Sequence, residues 1–115
     1  MKDVTIYHNP SCSHSRKALE LIRAHGIEPR IVEYLKTPLT PNELYHLIHE
    51  KLKLPVREVM RDKEAVYARL KLDGADDDTL MAAMALHPIL LNRPIVVTGK
   101  GARLCRPAET VEALL

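Results

Sequence analysis

The opening run "VTIYHNPSCSHSRKALELI" constrains the fold more than any other part of the chain. Val4 to His8 alternates and is rich in β-formers, which predicts a strand. From about Ser15 the apolar residues Ala18, Leu19 and Ile22 fall at helical spacing, and Gly26 supplies a stop. Arg30 to Tyr34 reads as a second short strand. A strand, a crossover helix and a further strand imply a parallel pair with a right-handed connection.

The rest of the chain adds to this unit. In "TPNEL", Thr40 can cap a helix, Pro41 suits its first position and Glu43 completes a capping box. Leu44, Leu47, Ile48 and Leu52 then make one apolar stripe. Pro55 to Leu86 reads as broken helix, ending in "GADDDTLMAAMAL", with an acidic start and Met81, Met84 and Ala85 as core. In "NRPIVVTGKGARLC", the runs Ile95 to Thr98 and Ala102 to Cys105 flank Gly99-Lys100-Gly101, a hairpin signal. "RPAETVEALL" opens a last helix with Pro107 in its first turn. The order is β-α-β, an inserted helical block, a β-hairpin and a C-terminal helix. That is an α/β sandwich of the thioredoxin/glutaredoxin kind, expected as a single domain over residues 1–115.

Composition limits the function classes. With 46% apolar residues but four Tyr, no Phe and no Trp, the core must rest on aliphatic side chains. The net charge of +2 argues against a broad nucleic-acid surface, although a local arginine cluster can still hold a small anion. "MKDVTIYHNP" lacks the apolar run of a signal peptide, and no stretch is long enough to span a bilayer. A cytoplasmic protein, monomeric by default, is expected. Its two cysteines, Cys12 and Cys105, are then expected as free thiols.

Cys12 stands at the joint between the first strand and its helix, with His8 four residues before it and Arg16 four after. The first turn of a helix leaves N–H groups without helical partners and carries partial positive charge, so a thiolate there is favoured over its thiol. The same N–H groups can cradle an anion. A protonated His8 would add to this effect, and Ser11 and Ser15 are placed to donate hydrogen bonds to sulfur. Two readings of Cys12 stand on these grounds: an activated nucleophile, or a small buried hydrophobe beside a histidine that ends a strand. The spacing excludes some mechanisms. A two-cysteine redox pair would need C-x-x-C, and here Ser15 takes the second place. The C-x-x-x-x-x-R phosphatase loop is absent, because Arg16 comes too early. An anion clamp must therefore come from distant arginines.

"YHNPSCSHSR", "HPILLNRPIVV" and "RLCRP" together closely resemble the glutaredoxin-coupled arsenate reductases of the thioredoxin-fold class. The resemblance implies a nucleophilic role for Cys12 and a supporting role for His8. It implies arsenate-binding roles for Arg61 in "VMRDK", Arg93 in "NRP" and Arg106 in "CRP", and a cis-proline at Pro94. It further implies arsenate as substrate, glutathione as co-substrate and glutaredoxin as electron-supplying partner in arsenic resistance, with no tightly bound cofactor. Ser13 and His14 depart from the small residues expected after the family's cysteine.

The arginines suit the role on chemical grounds. A guanidinium keeps its charge and offers a planar fork to two oxygens of a tetrahedral oxyanion. Cys105 reads as structural. His46 and His49, three apart on a helix, come with no cysteine or carboxylate pattern of a zinc site, so no metal is expected. Two other functions fit the same outline. One is a glutathione-dependent thiol reductase that does not use arsenate. The other is a non-enzymatic Spx-like regulator that binds RNA polymerase, disfavoured here because its redox switch needs C-x-x-C.

Overall fold

The computed structural model describes residues 3–115. The reading of the N-terminus as free of a targeting signal begins on Met1 and Lys2, which lie outside the described residues. Two compact units emerge: residues up to Thr37 together with Arg93–Leu115, and Pro38–Asn92.

The first unit carries the sheet. Its elements are β1 (Thr5–Tyr7), α1 (Ser13–Ala24), β2 (Arg30–Val32), β3 (Ile95–Thr98), β4 (Gly101–Leu104) and a 3-10 helix, Ala108–Leu114. The strand order is β2-β1-β3-β4. β1 pairs in parallel with β2, Thr5 opposite Arg30, as the strand–helix–strand order predicts. β3 runs antiparallel to both β1 and β4. The alternation of β1 buries Ile6 completely, while Thr5 and Tyr7 are half-buried. Val4, Ile6 and Val96 pack with Ala18 and Ile22 of α1 and with Ala108, Val111 and Leu114 of the terminal helix. α1 ends as expected, with Gly26 at φ +77° donating its N–H to Arg23 O at 2.9 Å.

β1 is shorter than the expected Val4 to His8 and α1 starts two residues before Ser15, and three further boundaries differ for local reasons. β2 stops at Val32 because Glu33 O accepts the N–H groups of Lys36 and Thr37, both at 2.9 Å, and turns the chain. The hairpin turn is Gly99-Lys100 alone, since Thr98 pairs with Gly101, and β4 starts one residue early. A two-residue turn suits the twist of the strands, and Gly101 sits at φ +138°, a conformation that opposes any side chain. The last helix is 3-10 rather than α, with Pro107 as its N-cap rather than in its first turn. A 3-10 run of seven residues is longer than such helices usually are.

The second unit is helical. The capping box at Thr40 forms in both directions: Thr40 Oγ1 accepts from Glu43 N at 3.1 Å, and Glu43 Oε1 accepts from Thr40 N at 3.0 Å. It starts α2 (Pro41–Tyr45), which widens into a π-helical stretch, His46–Leu52. Leu44, Leu47, Ile48 and Leu52 are all buried, as their spacing predicts. Beyond them come a 3-10 helix (Val56–Val59), α3 (Ala65–Arg69), a further 3-10 turn (Leu72–Gly74) and α4 (Asp77–Leu86). Asp76 caps α4 by accepting from Thr79 N at 2.9 Å. Met81 and Met84 are buried, joined by Ala83, whereas Ala85 is half-buried.

One exposed side chain ties these short pieces together. The Arg57 guanidinium donates to Tyr67 Oη at 2.8 Å, Leu72 O at 3.0 Å and Ala75 O at 2.8 Å. Broken helices expose carbonyls at their ends, and a charged donor reaches two of them here, one of which, Leu72 O, also accepts Ala75 N at 3.1 Å. Arg57→Ala is expected to destabilise the protein by about 1.5–3 kcal/mol, read by urea denaturation. A midpoint equal to wild type would show that water replaces these bonds at no cost.

Candidate active site

The site begins at the turn between β1 and α1. Asn9 and Pro10 are residue types favoured at the first two places of a β-turn, and Cys12 N–H donates to Asn9 O at 3.0 Å to close one. Asn9 Oδ1 accepts from Ser11 N at 3.0 Å within the same turn. Cys12 is then the N-cap of α1, in extended conformation, and its carbonyl accepts the helix's first bond from Arg16 N at 3.0 Å. The thiol is thus set at the mouth of a twelve-residue helix. It is 7% exposed.

The end of the hairpin supplies the arginines. Past the Ile95–Leu104 pair, Pro94 O accepts from Cys105 N at 2.8 Å, extending the pairing by one step. This places Arg93 and Arg106 side by side. Arg106 Nη1 donates to Arg93 O at 3.1 Å and lies 3.9 Å from Cys12 Sγ. Nε and Nη1 of Arg93 are buried. The Arg93–Pro94 peptide bond is cis, as the resemblance implies, and Arg106–Pro107 is cis as well. The Arg106 guanidinium lies against the sulfur at the N-terminus of α1, a setting whose positive charge suits an oxyanion.

His8 and Ser15 are found here in roles other than those expected. Ser15 is fully buried; its Oγ accepts from Asn9 N at 3.0 Å and lies 2.6 Å from His8 Nδ1. Its bonds go to His8 and Asn9 rather than to the sulfur. Ser11 is exposed and gives its main-chain N–H to Asn9. Burial lowers the His8 pKa below its ordinary 6.5; nearby Glu33 opposes this, while Arg23 and Arg16 add to it. The protonated imidazole expected beside Cys12 is therefore disfavoured. A neutral ring accepting at Nδ1 from the Ser15 hydroxyl, with its proton on Nε2, fits the hydrogen bonds present.

The remaining candidates are more scattered. Arg61 belongs to the second unit, where its Nε pairs with Glu64 Oε2 at 3.2 Å and its N–H donates to Leu90 O at 2.8 Å. Arg16 Nη1 donates to Pro10 O at 2.9 Å and so braces the turn from outside. Cys105 is fully buried, donates weakly to Arg103 O, and burial pushes its thiol pKa up to about 11. Both cysteines are free thiols. Among the described residues no group of three or more His, Cys, Asp or Glu is arranged to hold a metal ion. No helix among them is long and apolar enough to cross a membrane. The residue that sequence reasoning passed over is Asn9, although an Asn-Pro pair between a strand and a helix is itself a turn signal.

A family model described as the ArsC family matches residues 7–114. The chain belongs to the ArsC family. The family match spans both the Cys12 turn and the Arg93 and Arg106 segments. An arsenate reductase from Escherichia coli K12 is 50% identical over 117 aligned positions, covering all of this chain and 82% of that protein. One from Neisseria meningitidis is 42% identical, with each chain fully covered. The structure of an arsenate reductase from Vibrio cholerae superposes with a TM-score of 0.93 at 46% identity, over 98% of both chains. The thioredoxin-like α/β architecture is thus shared with solved ArsC structures.

Two measurements follow from the site's electrostatics. Iodoacetamide at pH 8 is expected to label Cys12 and spare Cys105, read by peptide mass spectrometry. Equal labelling would contradict the burial of Cys105. The second concerns His8, whose folded pKa is depressed. Its contribution to stability is present above pH 6.5, the ordinary value, and is lost as pH falls through the lower folded value, because the unfolded chain then binds the proton more readily. His8→Asn is expected to flatten the stability loss between about pH 7 and 5 in denaturant titrations. An unchanged pH slope would mean that His8 titrates normally in the folded protein.

Proposed function

We propose that this chain reduces arsenate to arsenite, with Cys12 as the nucleophile and glutathione and glutaredoxin supplying the two electrons. The observation that carries the reading is the contact of Arg106 Nη1 with Cys12 Sγ at 3.9 Å, beside Arg93 and at the N-terminus of α1.

Arsenate binds with its oxygens on the guanidinium groups of Arg93 and Arg106 and on first-turn N–H groups of α1. The Cys12 sulfur attacks arsenic, a sulfur–arsenic(V) bond forms, and one oxygen leaves as water. The guanidinium groups hold the charge that gathers on the remaining oxygens. A glutathione thiol then bonds to the Cys12 sulfur. The sulfur–arsenic electron pair passes to arsenic, which leaves as arsenite, and Cys12 remains as a mixed disulfide with glutathione. Glutaredoxin returns it to the thiol by thiol–disulfide exchange. The proposed setting is the cytoplasm, where both reductants are maintained.

His8 and Ser15 act in this scheme through the turn that carries Cys12, as a buried pair, rather than by proton transfer to sulfur. Arg61 is retained as a third arsenate ligand on the family resemblance. A purely regulatory role has no structural support in the Cys12 turn: Ser15, at the position where such a switch needs its second thiol, is buried and engaged with His8.

The test is arsenate-dependent oxidation of glutathione in the presence of glutaredoxin. Cys12→Ser is expected to fall to background, and retained turnover would rule out the mechanism. Arg93→Ala and Arg106→Ala are each expected to lower kcat/KM for arsenate by about 10²-fold. Wild-type kinetics in either variant would remove that arginine from the site.

A further inference from the structure

Asn9 is buried, carries no charge and belongs to neither the nucleophile nor the anion clamp. It nevertheless makes three hydrogen bonds around Cys12, each with a different group. Its Oδ1 accepts from Ser11 N at 3.0 Å. Its carbonyl accepts from Cys12 N at 3.0 Å. Its N–H donates to Ser15 Oγ at 3.0 Å. The first two fold residues 9–12 into one tight turn, and the third fastens that turn to the first turn of α1.

We propose that Asn9 is the positioning residue for Cys12, holding the sulfur at the helix mouth through the side-chain bond to Ser11. Resting on the functional reading above, this deepens it. A cysteine at the N-cap makes no side-chain cap bond of its own here, so nothing in Cys12 itself directs the start of α1. The usual capping residues set a helix start by binding a first-turn N–H with their own oxygen. Asn9 does a different job from outside the helix: its Oδ1 fixes Ser11, the residue before the N-cap, and its N–H holds Ser15 in the first turn, which leaves the N-cap side chain free to be a thiol. Arg16 supports the same turn through Pro10 O at 2.9 Å, but from the exposed side and without restricting Ser11 or Cys12.

The chemical consequence concerns the sulfur more than the substrate. The arginines come from a separate segment, at the base of the β3–β4 hairpin, and do not depend on the Asn9 turn. Loss of the Asn9 side chain should therefore change how often the sulfur is aligned and leave arsenate binding largely intact. A misplacement near 1 Å is enough to cost about 10²-fold in rate.

The experiment compares wild type, Asn9→Ala and Asn9→Ser, all as the full chain. Serine retains a weaker version of the same bond to the N–H two residues on. The arsenate-independent readout is the rate of Cys12 alkylation by iodoacetamide at pH 7, with Cys105 labelling followed in the same sample as a reporter of opening. Asn9→Ala is expected to slow Cys12 alkylation by about fivefold, because the sulfur leaves the field of the helix end, with Cys105 still protected. Asn9→Ser should fall between the two. A variant that merely loosens the fold would do the opposite, speeding the labelling of both cysteines. In the arsenate assay, kcat of Asn9→Ala should drop by about 10²-fold with KM within about twofold.

A wild-type alkylation rate in Asn9→Ala, or faster labelling of both thiols, overturns the proposal. If Asn9→Ala does not fold, a wild-type alkylation rate in Asn9→Ser does the same. A wild-type enzyme that labels as expected but fails to reduce arsenate would instead overturn the functional reading and leave the positioning role standing.

Discussion

A contact between residues 94 apart in sequence, Arg106 Nη1 against Cys12 Sγ, is the interaction on which the site depends. Neither partner acts alone. A thiol at a helix N-terminus experiences a partial charge, and a surface arginine usually points into water. What brings them together is backbone pairing. β1 lies between β2 and β3, and β3 pairs with β4, so the last turn before α1 and the open end of the hairpin reach the same edge of the sheet. The extra step from Pro94 O to Cys105 N carries the pairing just far enough to include both arginines.

The polar groups at this edge divide into two sets with different electrostatic tasks. Arg106 lies against the sulfur, with Arg93 beside it in the pairing of the hairpin. His8, Asn9 and Ser15 are buried, neutral and bonded to one another, where a charge would be costly. Burial is what separates the sets. A protonated His8 would have to be desolvated within this cluster, and the cationic arginines nearby already serve the sulfur. The cation placed against Cys12 is thus the Arg106 guanidinium rather than an imidazolium.

The two cysteines show how little residue type alone decides. Both are nearly inaccessible and both are free thiols. Cys12 ends a polar turn with a guanidinium against it, whereas Cys105 packs among Val4, Ile6, Ala108 and Val111 of the core. An apolar surrounding offers nothing to a thiolate, so Cys105 stays protonated. The same chemical group is the proposed nucleophile in one setting and core packing in the other.

The sequence by itself determined the local structure and the cast of residues. Alternation in β1, the Thr40 capping box, the presence of the β3–β4 hairpin and the buried stripe from Leu44 to Leu52 are all written in neighbouring residues, because each depends on spacing and local hydrogen bonds. Cys12, Arg93 and Arg106 stand out as candidates from their motifs, and the fold brings Arg106 against both Cys12 Sγ and Arg93 O. Tertiary structure alone decided the partners. Ser15 turned to His8 and Asn9 instead of to sulfur, burial lowered the His8 pKa, and Asn9 became the hub of the turn. These outcomes depend on which groups are removed from water together, and that is a property of packed neighbours from distant segments rather than of any stretch of chain.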